Sequence, residues 1–138
     1  MKKVFFLLLI PLLYLQLQAQ PASGPPRIVF QMVSGDTLAH KALMRQLGNI
    51  TSLQPDLQIE VICHGPGLEM VQKDRSQVAD RIGQYVAKGV RFSACEFSMK
   101  ERKVSKEQIL EGVDYIPSAI LHIARRQAEG WSYIKSGF

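Results

Sequence analysis

The sequence has few of the residues that usually bind metals or build disulfide frameworks. Its 138 residues include two cysteines and three histidines. His40, His64 and His122 have no metal-ligand spacing with each other or with the cysteines. A glycine-rich dinucleotide fingerprint, a phosphate-binding P-loop and a G-x-S-x-G hydrolase elbow are also missing. These absences disfavour a metal centre, a nicotinamide or ATP enzyme and a serine hydrolase, and we expect no cofactor.

Long hydrophobic runs are confined to the amino terminus. Two lysines precede an apolar run from Val4 to Leu15, and the small residue Ala19 follows it. This pattern predicts a secretory signal peptide over 1–20, with cleavage after Ala19 and an uncleaved anchor as the alternative. No later stretch approaches the roughly 18–20 apolar residues of a membrane span. We therefore expect a periplasmic or secreted protein that is not held in a membrane after cleavage.

The remaining chain is predicted to be a short linker and one domain. Residues 21–26 are rich in proline, glycine and serine, and residues 27–138 are long enough to bury a core without disulfides or metal. The formal charge of the whole chain is +5, and removing Lys2 and Lys3 leaves +3. Without an arginine-rich run or aromatic residues in a basic stripe, we expect no nucleic-acid partner.

Apolar segments alternate with helical patterns along the domain. Strands are predicted at 27–33, 57–63, 90–94 and 113–116, with a final short strand or docking tail at 131–134. Helices are predicted after the caps Asp36 and Ser118 and after Cys95, and the polar stretch 69–80 is expected to continue into a further helix that ends before Gly89. This alternation is typical of a parallel sheet covered by helices on both faces, an α/β fold.

In such a sheet, ligands bind outside the carboxyl ends of the strands. The loops at that edge carry an acid, a histidine, a thiol, a hydroxyl group and several glycines, namely Ser34, Gly35, Asp36, His64, Gly65, Gly67, Cys95 and Ser118. Structural roles are open for several of them: Asp36 as a helix cap, the glycines as turn residues, and His64 as a side chain satisfied by backbone carbonyls.

Cys95 is the candidate nucleophile at this edge. It lies between a buried strand and a predicted helix, where backbone N–H groups and the helix dipole favour a thiolate. The second thiol, Cys63, lies within an apolar run, which is typical of a small buried residue. Because exported proteins often contain disulfides, the sequence leaves open a bridge between Cys63 and Cys95.

The same segments together resemble the DsrE/DsrF-like family. The resemblance spans about 27–135 and rests on Val29-Phe30-Gln31 with Ser34-Gly35-Asp36, His64-Gly65-Pro66-Gly67-Leu68, Gly89-Val90 with Ala94-Cys95, Ile116-Pro117-Ser118, and Gly130-Trp131-Ser132-Tyr133. It implies a three-layer α/β/α sandwich with a five-stranded, mainly parallel sheet, assembled as a homotrimer or hexamer. It also implies a sulfur-relay role, with a persulfide on the cysteine after the third strand, here Cys95.

Two features depart from that family. Its well-studied members are intracellular sulfur carriers, so an export signal argues against transfer to tRNA, and Cys63 stands where an aliphatic or small residue is usual. We expect a periplasmic sulfur carrier, sulfurtransferase-like at most, whose partner is a small sulfur-containing molecule or an acceptor protein thiol. The alternative is a non-enzymatic oligomeric module of the same fold that binds a small molecule.

Overall fold

A five-stranded parallel sheet forms the centre of the domain. The structure is a computed structural model that describes residues 24–137, so the predicted signal peptide and the first half of the linker lie outside the described residues. The strands run in the order β4-β3-β2-β1-β5, and every neighbouring pair is parallel. Their bounds are β1 Arg27–Met32, β2 Gln58–Cys63, β3 Arg91–Cys95, β4 Asp114–Ile116 and β5 Ser132–Ser136. The predicted parallel sheet is confirmed, and the final segment is a strand rather than a tail.

Helices cover both faces of this sheet. They are α1 Thr37–Leu53, α2 Ala79–Ala87, α3 Glu96–Arg102 and α4 Ala119–Ala128, with 3₁₀ helices at Gly65–Val71 and Lys106–Gln108. The core on one face contains residues of α1 and α2, and the core on the other contains residues of α4. The three-layer α/β/α arrangement is therefore confirmed. Within residues 24–137, no helix combines the length and apolar character needed to cross a bilayer.

Local sequence signals start and stop helix α1. Asp36 is its N-cap, and Asp36 Oδ1 accepts a hydrogen bond from the Leu38 backbone N–H at 2.8 Å. Leu43, Met44 and Leu47 are fully buried, so they form the apolar stripe that packs on the sheet. The helix ends before Pro55, which cannot continue the backbone hydrogen bonds. The predicted cap and helix are thus both confirmed.

The polar stretch 69–80 leads into a helix that ends before Gly89, as predicted, and this helix covers Ala79–Ala87. Most of the stretch ahead of it is irregular, after the 3₁₀ helix that ends at Val71. Its backbone groups bond instead to the segment near residue 109. The Lys73 N–H donates to the Gln108 carbonyl at 2.8 Å, and the Leu110 N–H donates to the Val71 carbonyl at 2.9 Å. Because a non-local pairing satisfies these groups, α2 begins only at Ala79.

Side chains alternate between the two faces of the sheet. Phe30, Val61 and Phe92 point toward α1 and α2, whereas Val29 and Ile62 point toward α4. The second core is smaller and includes Ile123 of α4 and Trp131. The side chain of Cys95, the last residue of β3, lies on this second face.

Gly67 holds the loop after β2 against β1. A Cβ atom at this position would lie 2.2 Å from the Met32 carbonyl oxygen, a distance that no side chain can adopt. The Gly67 N–H donates to the Val33 carbonyl at 3.1 Å. The glycine is therefore required by the approach of two backbone segments.

Candidate functional site

Cys95 lies where three elements meet. It is the last residue of β3 and the N-cap of α3, and its side chain belongs to the core on the α4 face. Its Sγ accepts a hydrogen bond from the Ala119 backbone N–H at 3.4 Å, and the Pro117 carbonyl oxygen lies 4.0 Å away. Ala119 is the first residue of α4. The sulfur therefore sits at the amino end of a ten-residue helix.

The first turn of α4 thus supplies a backbone hydrogen-bond donor to the Cys95 sulfur. Ser118 is the N-cap of α4, and its side chain accepts from the Leu121 N–H at 3.4 Å. Ser118 thus fixes the first turn of the helix that contacts Cys95.

Cys63 is inert by comparison. It is fully buried among α1 and α2, and burial raises the pKa of its thiol to about 12. In the β2–β3 register Cys63 pairs with Ala94, so Cys63 and Cys95 project from opposite faces of the sheet. Both thiols are free. The disulfide left open by the sequence is therefore contradicted, because the sheet separates the two sulfurs.

His64 continues β2 at the position beside Cys95. The His64 backbone N–H still donates to the Met32 carbonyl at 3.1 Å, as in a parallel strand. Since Cys63 pairs with Ala94, the next residues of the two strands, His64 and Cys95, lie side by side. The Gly65 N–H donates to Ser98 Oγ at 2.9 Å, and this bond attaches the segment after β2 to α3. Burial lowers the pKa of His64, so its ring is neutral at neutral pH.

The other predicted site residues satisfy each other within the first loop. Ser34 Oγ accepts from the Asp36 N–H at 3.1 Å, and Asp36 caps α1. The Ser34 carbonyl oxygen lies 2.7 Å from His40 Nε2. At Gly35, a Cβ atom would lie 3.3 Å from Pro66 Cβ, so this loop packs on the second one. The structure thus places His64 on the strand beside Cys95, Gly65 against α3 and Ser118 at the start of α4, whereas Ser34, Gly35, Asp36 and Gly67 have roles in loop structure.

Two polar side chains near the site were not predicted from the sequence. Gln31 of β1 and Tyr133 of β5 form a hydrogen-bonded chain with His64. Gln31 was visible as the one polar residue inside an apolar strand. Its partners depend on the register of three strands, which no local pattern reveals.

Three exposed apolar side chains lie in the first turns of α3 and α4. Phe97 of α3 and Ile120 and Leu121 of α4 are 63%, 60% and 58% exposed. The sulfur-bearing residue itself is only 4% exposed. In the described part of the chain, no group of three or more His, Cys, Asp or Glu side chains is placed to hold a metal ion. The site therefore combines a buried thiol with exposed apolar side chains on α3 and α4.

The model of the DsrE/DsrF-like family matches residues 27–136. The chain belongs to the DsrE/DsrF-like family. A solved structure of a protein of unknown function from Methanobacterium thermoautotrophicum is 31% identical, with a TM-score of 0.76 over 80% of this chain and 98% of that one. Both observations confirm the family resemblance found in the sequence.

More distant structures share the fold of this DsrE/DsrF-like domain. The ychN protein from E. coli is 9% identical, with a TM-score of 0.68 over 81% of this chain and 99% of that one. A conserved protein of unknown function from Bacteroides thetaiotaomicron is 12% identical, with a TM-score of 0.65 over 84% and 99%. The comparison with curated proteins found no match. At these identities the two structures support the fold alone.

Proposed function

We propose that this DsrE/DsrF-like protein is a sulfur carrier that holds a persulfide on Cys95. The observation that carries the proposal is the position of the Cys95 sulfur at the amino end of α4, where it accepts the Ala119 N–H at 3.4 Å. The family membership supports a sulfur-relay role. The second thiol lies in the opposite core with its pKa raised to about 12, so it does not compete.

The proposed chemistry needs neither a cofactor nor a net oxidant. The Cys95 thiolate attacks the outer sulfur of a small persulfide or polysulfide, a new S–S bond forms, and the donor's S–S bond breaks. The donor leaves as a thiolate with the electron pair, so sulfur is transferred without net oxidation. An acceptor thiolate then attacks the outer sulfur of Cys95–S–S⁻, and the Cys95 thiolate leaves.

Burial of the cysteine bears on the size of the donor. Because Cys95 is 4% exposed beneath the start of α4, we propose that the donor is a small sulfane-sulfur compound rather than a protein disulfide. The proposed acceptor is a protein thiol, which needs to reach only the outer sulfur of the persulfide, one bond beyond Cys95 Sγ.

Intact mass spectrometry tests the proposal. After incubation with inorganic polysulfide and removal of the excess, the native protein is expected to gain the mass of one or more sulfur atoms, and a reductant should remove it. The Cys63→Ser variant should behave in the same way, whereas Cys95→Ser should gain nothing.

Two outcomes would contradict a carrier role. Sulfur uptake by Cys95→Ser that equals the wild-type uptake would place the sulfur elsewhere, and no uptake by the wild-type protein would defeat persulfide carriage. Retention of a small molecule by both wild-type and Cys95→Ser protein would instead favour the binding-module alternative.

We also propose that the protein acts outside the cytoplasm as a homo-oligomer. The amino-terminal sequence supports export, and the exposed apolar side chains near Cys95 support assembly. Native mass spectrometry of protein isolated from the periplasm or medium should show a trimer or hexamer of chains that begin at Gln20. Chains that begin at Met1 would contradict export with cleavage of a signal peptide. A monomer at micromolar concentration would contradict the homo-oligomer.

A further inference from the structure

Three side chains form a hydrogen-bonded chain beside Cys95. The Tyr133 hydroxyl donates to Gln31 Oε1, and Gln31 Nε2 lies 2.7 Å from His64 Nε2. The side chains come from β5, from β1 and from the residue after β2, so the chain crosses three strands. In the parallel register Gln31 pairs with Ile62, which belongs to the core on the α4 face. The chain therefore lies on the same face of the sheet as Cys95.

The donors and acceptors of this chain fix the protonation of His64. An amide nitrogen donates hydrogen bonds and cannot accept them, so His64 Nε2 must accept from Gln31 through its lone pair. The Gln31 amide oxygen points away from His64 and accepts from the Tyr133 hydroxyl. Burial lowers the pKa of His64, which agrees with a neutral ring. The ring proton is then on Nδ1, which has no hydrogen-bond partner within residues 24–137.

This protonation state limits what His64 can do for the neighbouring sulfur. A histidine that activates a cysteine as a base takes the thiol proton on a free nitrogen lone pair. In His64 the only such lone pair is engaged by Gln31. The group of the ring that remains for an interaction with the sulfur is the Nδ1–H, which is a hydrogen-bond donor.

We propose that Gln31 and Tyr133 are positioning residues that hold His64 as the neutral Nδ1–H tautomer, so that His64 donates a hydrogen bond to the sulfur anion at Cys95 instead of removing the thiol proton. This deepens the proposed carrier function and rests on it for its biological meaning. The Ala119 N–H at the start of α4 is one hydrogen-bond donor to the sulfur. His64 adds a second donor, which serves the thiolate and the persulfide anion alike.

Nitrogen-15 NMR of the full-length protein tests the tautomer directly. Long-range proton–nitrogen correlations should show His64 protonated on Nδ1 and unprotonated on Nε2 at neutral pH. In Gln31→Glu the carboxylate can only accept, so Nε2 should become protonated. Tyr133→Phe should give a mixture, because the amide is no longer held. Tyr115→Phe is the matched control, since the Tyr115 hydroxyl bonds to the Lys106 carbonyl, and it should leave the His64 signals unchanged.

The rate of Cys95 alkylation separates a donor from a base. The side-chain amide nitrogen of an asparagine occupies about the position of a histidine Nδ1 and can only donate. His64→Asn should therefore alkylate within about threefold of the wild-type rate, whereas His64→Leu should be slower by about tenfold, the effect of one hydrogen bond to a charged group. Circular dichroism and thermal unfolding are the controls that check whether both variants are folded.

Either of two results would overturn the inference. One is a wild-type His64 protonated on Nε2, and the other is a His64→Asn variant as slow as His64→Leu. Neither measurement involves a sulfur donor. A failure of persulfide carriage would therefore be recognised separately, as an absence of sulfur uptake in a protein whose His64 tautomer is still the one proposed.

Discussion

A small alkylating reagent such as iodoacetamide is expected to modify the folded protein at Cys95 and to leave Cys63 unmodified. At pH 7 a thiol whose pKa is about 12 is ionised to a fraction of about 10⁻⁵. Cys63 is also fully buried, so the reagent cannot reach it. The Cys95 sulfur accepts the Ala119 N–H at the start of α4, and Cys95 is 4% exposed to solvent. We expect a rate ratio of at least about 100 in favour of Cys95.

Intact mass after timed alkylation gives this ratio. The wild-type protein and Cys63→Ala should each gain one label, and Cys95→Ala should gain none until urea is added. Unfolded samples of the wild-type chain should gain two labels, which controls for reagent quality. Two labels on the folded wild-type protein, or a first label on Cys63, would contradict the placement of the thiols on opposite faces of the sheet.

The replacement of Glu60 by alanine is expected to lower the free energy of unfolding by about 3–5 kcal/mol. Glu60 is a buried carboxylate on the α4 face of β2. Arg126 binds it with two bonds, from Nη2 to Oε1 at 2.6 Å and from Nε to Oε2 at 2.9 Å. His122 Nε2 lies 2.8 Å from Oε2, and Arg91 Nη1 lies 3.1 Å from Oε1. Without Glu60, Arg126 and His122 lose the partner that attaches α4 to the sheet.

The same cluster gives stability a defined dependence on pH. Burial alone raises the pKa of Glu60, but the hydrogen bonds from Arg126 and His122 and the charges of Arg126 and Arg91 outweigh it, so the pKa is lowered from 4.5. A carboxyl group with a lowered pKa in the folded state stabilises it above the pKa of the unfolded chain. That stabilisation is lost as the pH falls through the folded value.

Urea unfolding between about pH 3 and pH 7 measures this contribution. The gap in unfolding free energy between wild-type protein and Glu60→Gln should be constant at neutral pH and should narrow as the pH falls below about 4.5. The control is Glu69→Gln, because Glu69 is partly exposed and pairs with Arg102 at 2.9 Å on the surface. Its effect should stay within about 1 kcal/mol. Equal effects of the two substitutions would contradict the role of Glu60 as the anchor of α4.

Local signals explain which parts of the fold could be predicted. Asp36 and Ser118 cap helices through bonds to residues two or three positions away, so their sequence context was sufficient. The path of the chain between Val71 and Ala79 could not be predicted, because its backbone partners lie near residue 109, beyond the range of any local pattern.

The sequence was enough to predict which residues lie near the site but not how their side chains are arranged. The rule that ligands bind at the carboxyl edge of a parallel sheet placed Cys95, His64 and Ser118 together. The direction in which each cysteine points could not be deduced, because strands buried on both faces are apolar throughout and do not alternate. Gln31 and Tyr133 meet only after β1 and β5 pair, and these strands are about a hundred residues apart in the sequence.

The pairing of β1 with β5 also sets the order in which the domain can be completed. β1 occupies residues 27–32, and its neighbour β5 occupies residues 132–136. Without β5, β1 pairs only with β2 and is an edge strand of the sheet, and without Trp131 the smaller core is incomplete. The sheet is therefore completed only by a contact between segments about a hundred residues apart, and contacts of such long range form slowly in folding.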